Sequence, residues 1–173
     1  MTLRTLLPAL AVLGVTACGA APATQAPEPA APADHTDAAH GGHAGHGSDP
    51  STLSLWAVQS GPLGVVATDG NGRVLYRSDA DSASPPTSNC TGVCTATWSP
   101  LLLADGQELD LAGVPADRVG RLERPDGTTQ VTLAGWPVYT RPDDDGTLRT
   151  TGANGADGTW WAVAPTGEKV TAG

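Results

Sequence analysis

Apolar and polar positions divide the chain into three regimes. Residues 6–15 are an unbroken apolar run, residues 19–51 contain no large apolar side chain, and beyond residue 51 apolar positions come in short stretches parted by Gly, Pro, Asp and Asn. Short runs bounded by turn residues predict strands rather than helices. Leu53-Ser54-Leu55-Trp56-Ala57-Val58 alternates well enough for an opening strand, and Pro62 and Gly64 close it. Residues 65–68 and 73–77 flank Asp69-Gly70-Asn71-Gly72, where Gly and Asn take positive φ cheaply, so this pair reads as a hairpin. Residues 79–87 form a polar loop with Pro85-Pro86, 101–104 a short strand and 105–115 an irregular connection. Residues 118–124 and 128–133 flank Pro125-Asp126-Gly127, a second hairpin. Ala134-Gly135 then turns the chain into Trp136-Pro137-Val138-Tyr139, an acidic loop spans 143–147, and 159–163 is a last strand.

Residues 88–100 break this pattern. Ser88 or Asn89 can cap a helix start and Pro100 forbids continuation, which leaves room for two or three helical turns. Cys90 and Cys94 are four apart and share one face of such a helix. Their Cα atoms would then lie about 6 Å apart, within disulfide range, and in an exported chain that bridge forms. Two other readings stay open. A redox-active pair wants a cationic or basic helper, and none lies in this stretch. A Cu(I) or zinc site needs ligands beyond two thiolates, and residues 51–173 contain no histidine. Haem attachment fails for want of a histidine after Cys94.

The apolar run follows Arg4 and ends in Val15-Thr16-Ala17-Cys18. It is too short to span a bilayer and reads as a signal peptide, residues 1–17. Small residues leading into a cysteine resemble a bacterial lipobox, which implies acylation of Cys18 and anchoring at the outer face of the cell membrane. Residues 18–51 cannot bury enough surface to offset their chain entropy and read as a disordered tether. Fully extended at about 3 Å per residue, it would reach roughly 100 Å. Residues 52–173 suit one small domain. The net charge of −9 includes Arg4, and no basic patch offsets it, which argues against nucleic acid and against electrostatic docking on anionic lipid.

An offset of 63 residues lays Gly72 on Gly135, Tyr76 on Tyr139 and Trp98 on Trp161, so the domain reads as two repeats, about 64–104 and 118–165. Each tyrosine precedes an acidic loop, with Asp79 and Asp81 in the first copy and Asp143, Asp144 and Asp145 in the second. Trp56-Ala57-Val58 also echoes Trp161-Ala162-Val163, which predicts that the two ends pair in one sheet. The expected fold is all-β, with one short helix at the Cys-x3-Cys segment.

The first copy reads Gly72, Leu75-Tyr76, an acidic loop, then Asn-Cys-x-Gly-x-Cys-x-x-x-Trp-x-Pro over 89–100. The second reads Asp126-Gly127, Gln130-Val131, Gly135-Trp136-Pro137-Val138-Tyr139 and closes on Trp160-Trp161. These motifs resemble the bacterial secreted-repeat lipoproteins, a repeat of unknown function, over about residues 64–165. Thr95 stands where alanine is common and Ser99 where a second proline is. The resemblance implies export and lipid anchoring, and no established activity.

Candidate chemistry is sparse. With no histidine and a single lysine, Lys169, in residues 51–173, neither a Ser-His-Asp system nor a histidine base can be assembled. Asp79 or Asp81 with one of Asp143 to Asp145 could in principle cleave glycosides, and the acidic loops could hold Ca²⁺, although residues 143–147 lack the spacing of a calcium loop. The chain is therefore expected not to be an enzyme and to need no cofactor. His35, His40, His43 and His46 on the tether suit Cu(II) or Zn(II) through neutral imidazole, and with Cys90 and Cys94 they define an alternative reading in metal or redox handling. Trp160 and Trp161 must point to opposite faces of a strand. With Trp161 in repeat register, Trp160 is the candidate contact for an envelope partner.

Overall fold

The computed structural model describes residues 50–171. The expected signal peptide, the expected lipidation site Cys18, and the candidate metal ligands His35, His40, His43 and His46 lie outside the described residues.

The domain is built almost wholly of short strands. β1 (Thr52–Ser60) and β2 (Gly64–Asp69) form an antiparallel hairpin in which Ala57 faces Ala67. After β2, the Asp69 carboxylate accepts the N–H groups of Asn71 and Arg73 and fixes the turn. The chain returns beside β2 through the Thr68–Val74 bridge and the bonds from Asp69 N–H to Arg73 O and from Leu75 N–H to Ala67 O. The predicted hairpin is thus abbreviated, because β3 (Tyr76–Ser78) leaves to join a different sheet. β4 (Ser82–Ala83) and β5 (Pro86–Thr87) make a minimal hairpin across the loop.

The Cys-x3-Cys segment is shorter than its capping pattern predicts. α1 (Cys94–Thr97) is a single turn, entered through Val93 with no side-chain cap. Ser88 and Asn89 point elsewhere, as described below, so Cys90 lies in the loop before the helix. The Cys90–Cys94 disulfide is nonetheless formed, with Cα atoms 5.3 Å apart. Pro100 does end the helix, since β6 (Ser99–Pro100) follows at once.

β7 (Glu108–Ala112) lies inside the stretch expected to be irregular. It pairs in parallel with β1, Leu109 facing Leu53 and Leu111 facing Leu55. The opening strand therefore has β2 and β7 as neighbours, and the expected pairing of the two ends does not occur. β8 (Val119–Glu123) and β9 (Thr129–Leu133) form the second predicted hairpin, in register about Pro125-Asp126-Gly127. β10 (Trp136–Pro137) extends it, and β11 (Tyr139–Thr140) and β12 (Trp160–Ala162) complete the set.

The sheet that joins the two repeats has the order β12-β3-β11-β6. Tyr76 and Tyr139 are direct cross-strand partners at its centre. Ala162 stands opposite Tyr76, with Trp160 two residues before it; Pro100 stands opposite Tyr139, with Trp98 two residues before it. The sheet is thus symmetric about the tyrosine pair, and Trp98 corresponds to Trp160 rather than to Trp161. The slip from the 63-residue offset lies in the loop. Trp98 N–H bonds to Cys94 O as Trp160 N–H bonds to Ala156 O, and Ala156 lies three residues after Ala153 where Cys94 lies four after Cys90. Gly72 and Gly135 share positive φ, and a Cβ on Gly135 would collide with the Ala83 carbonyl, which explains a glycine there.

Two cores result. One is aliphatic, around Leu55, Leu75, Val131, Leu133, Val138 and Val163. The other is aromatic, around Tyr76, Trp98, Tyr139 and Trp160, with Cys90 packed against it. With no phenylalanine in the chain, tryptophan and tyrosine supply the bulk that closes the joining sheet.

Candidate functional site

The tyrosine–acid loops of the two copies cross over. Each tyrosine precedes an aspartate by five residues, Tyr76 to Asp81 and Tyr139 to Asp144, but each ring reaches the loop of the opposite copy. Tyr139 donates its hydroxyl proton to Asp81 Oδ2 at 2.7 Å, and Ser88 Oγ sits 2.7 Å from the same phenolic oxygen. Asp81 Oδ1 accepts the Asn89 N–H, and the Asn89 side chain bonds to Ala80 O, so these two residues lock the loop instead of capping a helix. Burial pushes the Asp81 carboxyl above its ordinary range, against the opposing pull of Asn89, Tyr139 and Arg124. Burial also raises the Tyr139 phenol far out of its usual range.

Arg124, at the edge of the second hairpin, is folded inward. It donates to Ser88 Oγ at 2.8 Å, to Gln130 Oε1 at 2.6 Å and to the Cys90 carbonyl at 2.9 Å, while Gln130 donates to Val138 O. It is the cation that the sequence around the cysteines lacks, supplied from the other repeat. The residues under the first-copy loop are thereby joined in one polar network, and Arg124 also reaches Asp126 at the rim of a hollow of about 380 Å³ beside Thr91 and Thr95.

The second-copy counterpart is open. Tyr76, Arg141, Asp143, Asp144, Asp145 and Thr150, with the backbone of Gly152 and Ala153, line a cleft of about 380 Å³. Ala153 N–H donates to the Tyr76 hydroxyl at 3.1 Å, and a Cβ on Gly152 would strike that oxygen. Arg141 holds Asp143 in a two-point pair at 2.7 and 2.8 Å, which keeps the Asp143 carboxyl below its ordinary range. Asp144 accepts from Val74 N–H and Gly146 N–H, tying the acidic loop to the turn after β2. Asp145 accepts the Thr147 N–H, which lowers its carboxyl as well.

A third polar group lies on β3 and β12. Burial raises the Asp79 carboxyl, but donors from Lys169, Trp161 Nε1 and Arg77 outweigh it and hold the group low. Arg77 is itself stacked 3.5 Å over the Trp136 ring.

Among the sequence-predicted residues, Asp143, Asp144 and Asp145 meet at the cleft, whereas Asp79 and Asp81 do not line it. The carboxylate pairing across copies is not assembled there. Trp160, expected to be the exposed ring, is 7 % exposed and stacks on Trp98 with centroids 4.0 Å apart. The correction follows from repeat register: Trp160 is the counterpart of buried Trp98, so Trp161 takes the outer face. Among the described residues no group of three or more His, Cys, Asp or Glu is arranged to hold a metal ion, and no helix is long and apolar enough to cross a membrane. Tyr76 and Arg124 were the residues missed. The matching five-residue tyrosine-to-aspartate interval was the visible signal for the first.

These features define an all-β module of two fused repeats, one stapled by a disulfide and one with a carboxylate-lined cleft. The model of the secreted repeat of unknown function matches residues 57–102 and again 120–164, together more than half of the chain, and the chain belongs to that family. It is accordingly an exported protein. No curated protein and no solved structure matches it.

Proposed function

We propose that the chain is a lipid-anchored envelope protein, held at the outer face of the cell membrane through Cys18, whose β domain is a non-catalytic binding module. The inequality of the two repeats carries this reading. The second-copy cleft of about 380 Å³ is within the range of roughly 300–1,000 Å³ usual for small-ligand sites and gathers three carboxylates, whereas the hollow of equal volume beside the first-copy disulfide offers only Asp126. Its carboxylates are all engaged by Arg141 or by backbone N–H groups, an arrangement that suits holding a shape rather than cycling protons. The occupant would be a hydroxyl-rich envelope component, able to accept from donors and to donate to the remaining carboxylate lone pairs.

The test is co-sedimentation of the full exported chain, with Cys18→Ser to remove the anchor, with purified cell-wall glycan. Thr150→Trp fills the cleft from an exposed position without touching the core. Binding by the first protein and its loss in the second supports the reading. Equal binding by both, or none by either, rejects it. A parallel titration with Cu(II) and Zn(II) addresses the metal reading, in which the four tether histidines would give binding independent of Thr150→Trp.

A further inference from the structure

Tyr76, Trp98, Trp160 and Tyr139 form one continuous buried array. The Tyr76 and Trp98 rings meet edge-on at 5.3 Å, Trp98 and Trp160 stack at 4.0 Å, and Trp160 meets Tyr139 edge-on at 5.1 Å. Packing accounts for four large rings, but not for what sits at one end. Tyr139 donates its hydrogen bond to a buried carboxylate, although a neutral acceptor would satisfy a buried phenol at lower desolvation cost. Behind it, Arg124 donates to Ser88, whose hydroxyl meets the same phenolic oxygen. Tyr76, at the other end, only accepts, from Ala153 N–H. The two ends are therefore unequal, and so are the two tryptophans, because the Arg141 guanidinium lies 5.1 Å over the Trp98 ring and opposes positive charge there.

We propose that this array is a one-electron redox site whose resting place for the oxidising equivalent is Tyr139. A strong outer-sphere oxidant, an oxidised metal centre of high potential, takes one electron from the tryptophan stack and is reduced by one. Trp160 recovers that electron from Tyr139. The Tyr139 O–H bond breaks as the electron leaves, and the proton passes along the existing hydrogen bond to Asp81 Oδ2. The products are a neutral tyrosyl radical and a protonated Asp81. One electron from a thiolate-class reductant, with the proton returned by Asp81, restores the phenol. Trp98 and Trp160 keep 5 % and 7 % of their surface exposed, and it is there that the array meets an outer-sphere oxidant.

The chain holds only two tyrosines, and both are fully buried, so a tyrosyl signal reports transfer through the protein rather than surface collision. The test is flash photolysis of the full chain with a photo-oxidised ruthenium polypyridyl complex, followed by transient absorption. A tryptophan radical that converts to a tyrosyl radical, more slowly in D₂O than in H₂O, is the expected result. Tyr76→Phe retains the tyrosyl signal and Tyr139→Phe abolishes it while leaving the tryptophan radical. Asp81→Asn slows tyrosyl formation on the order of tenfold, the size expected for losing a charged proton acceptor. A tryptophan radical that never converts overturns the proposal, as does a tyrosyl signal surviving Tyr139→Phe or an unchanged rate in Asp81→Asn. If either substitution unfolds the chain, the isotope comparison on the unaltered protein still decides, and equal rates in the two solvents overturn it.

Discussion

The segment from Cys90 to Trp98 and the segment from Ala153 to Trp160 occupy equivalent places in two copies of one repeat, yet their surroundings are closed by different physics. In the first copy a disulfide, a buried arginine and a buried carboxylate fill the space under the loop. In the second, alanines replace the cysteines and the aspartates turn outward onto backbone N–H groups and Arg141. Both loops deliver a tryptophan to the same stack by the same backbone bond, Trp98 to Cys94 and Trp160 to Ala156. The turn itself is therefore encoded without the disulfide. What the first copy adds is a covalent staple, and what the second offers is a cleft lined by three carboxylates.

The largest expected effect comes from Arg124. Its side chain is 2 % exposed and satisfies Ser88, Gln130 and the Cys90 carbonyl at once, with Asp126 as a fourth acceptor at the surface. Arg124→Ala leaves the first three and Asp81 uncompensated in the interior, a loss of about 3–5 kcal/mol. Urea unfolding of Arg124→Ala beside Arg141→Ala measures the contrast directly. Arg141 pairs with an exposed carboxylate and covers one face of Trp98, so its removal costs about 1–2 kcal/mol, less than that of Arg124. Comparable losses in the two variants would mean that the copies are closed alike.

The tryptophans should instead behave as equals. Trp98→Ala and Trp160→Ala each remove a buried ring from the same stack and should each cost about 3–5 kcal/mol. Their double variant should fall short of the sum by about 0.5–1.5 kcal/mol, the stacking term. Trp161→Ala, on the outer face of the same strand, should cost far less. A thermal melt that ranks Trp161 above Trp160 would restore the register that places Trp161 opposite Trp98.

Much of this was legible in the chain. The turns, the second hairpin, the repeat and the cysteine bridge follow from local residue chemistry, and local chemistry is what a sequence displays. What escaped it is non-local. β7 alternates as Glu108-Leu109-Asp110-Leu111-Ala112, but its partner is β1, 56 residues away and parallel, and no turn announces such a pairing. The 63-residue offset turns Trp160 outward because it is correct at the tyrosines and wrong by one residue at the tryptophans, and in a strand one residue reverses the face. Arg124 reads locally as an arginine beside a polar turn. Only the fold shows that acceptors from two repeats converge on it.

Removing the staple sharpens the comparison further. Cys90→Ala with Cys94→Ala gives the first loop the alanines of the second. Closing so short a ring contributes about 2 kcal/mol in the chain-entropy account, so the double variant should stay folded with a stability loss of that size. Near-ultraviolet circular dichroism should retain the signature of the stacked tryptophans. Loss of that signature would mean that the disulfide builds the turn rather than tightening it.

The smallest effect, and the one that separates the two loops by sign, is in their titration. Burial raises Asp81 in the folded chain, so the native state holds its proton longer than the unfolded state does. That contribution favours folding below the unfolded carboxylate value and is lost as pH rises through the raised folded value. Asp143 and Asp145 are lowered, the first mainly by Arg141 and the second by the Thr147 N–H, so their contribution is present above the unfolded value and lost as pH falls. Unfolding midpoints from about pH 3 to about pH 7 should therefore rise more steeply with pH in Asp81→Asn than in the parent chain. In Asp143→Asn they should rise less steeply. Parallel curves for all three would show that the buried and open loops hold their carboxylates in equivalent surroundings, and the distinction between a filled copy and an open one would fail with them.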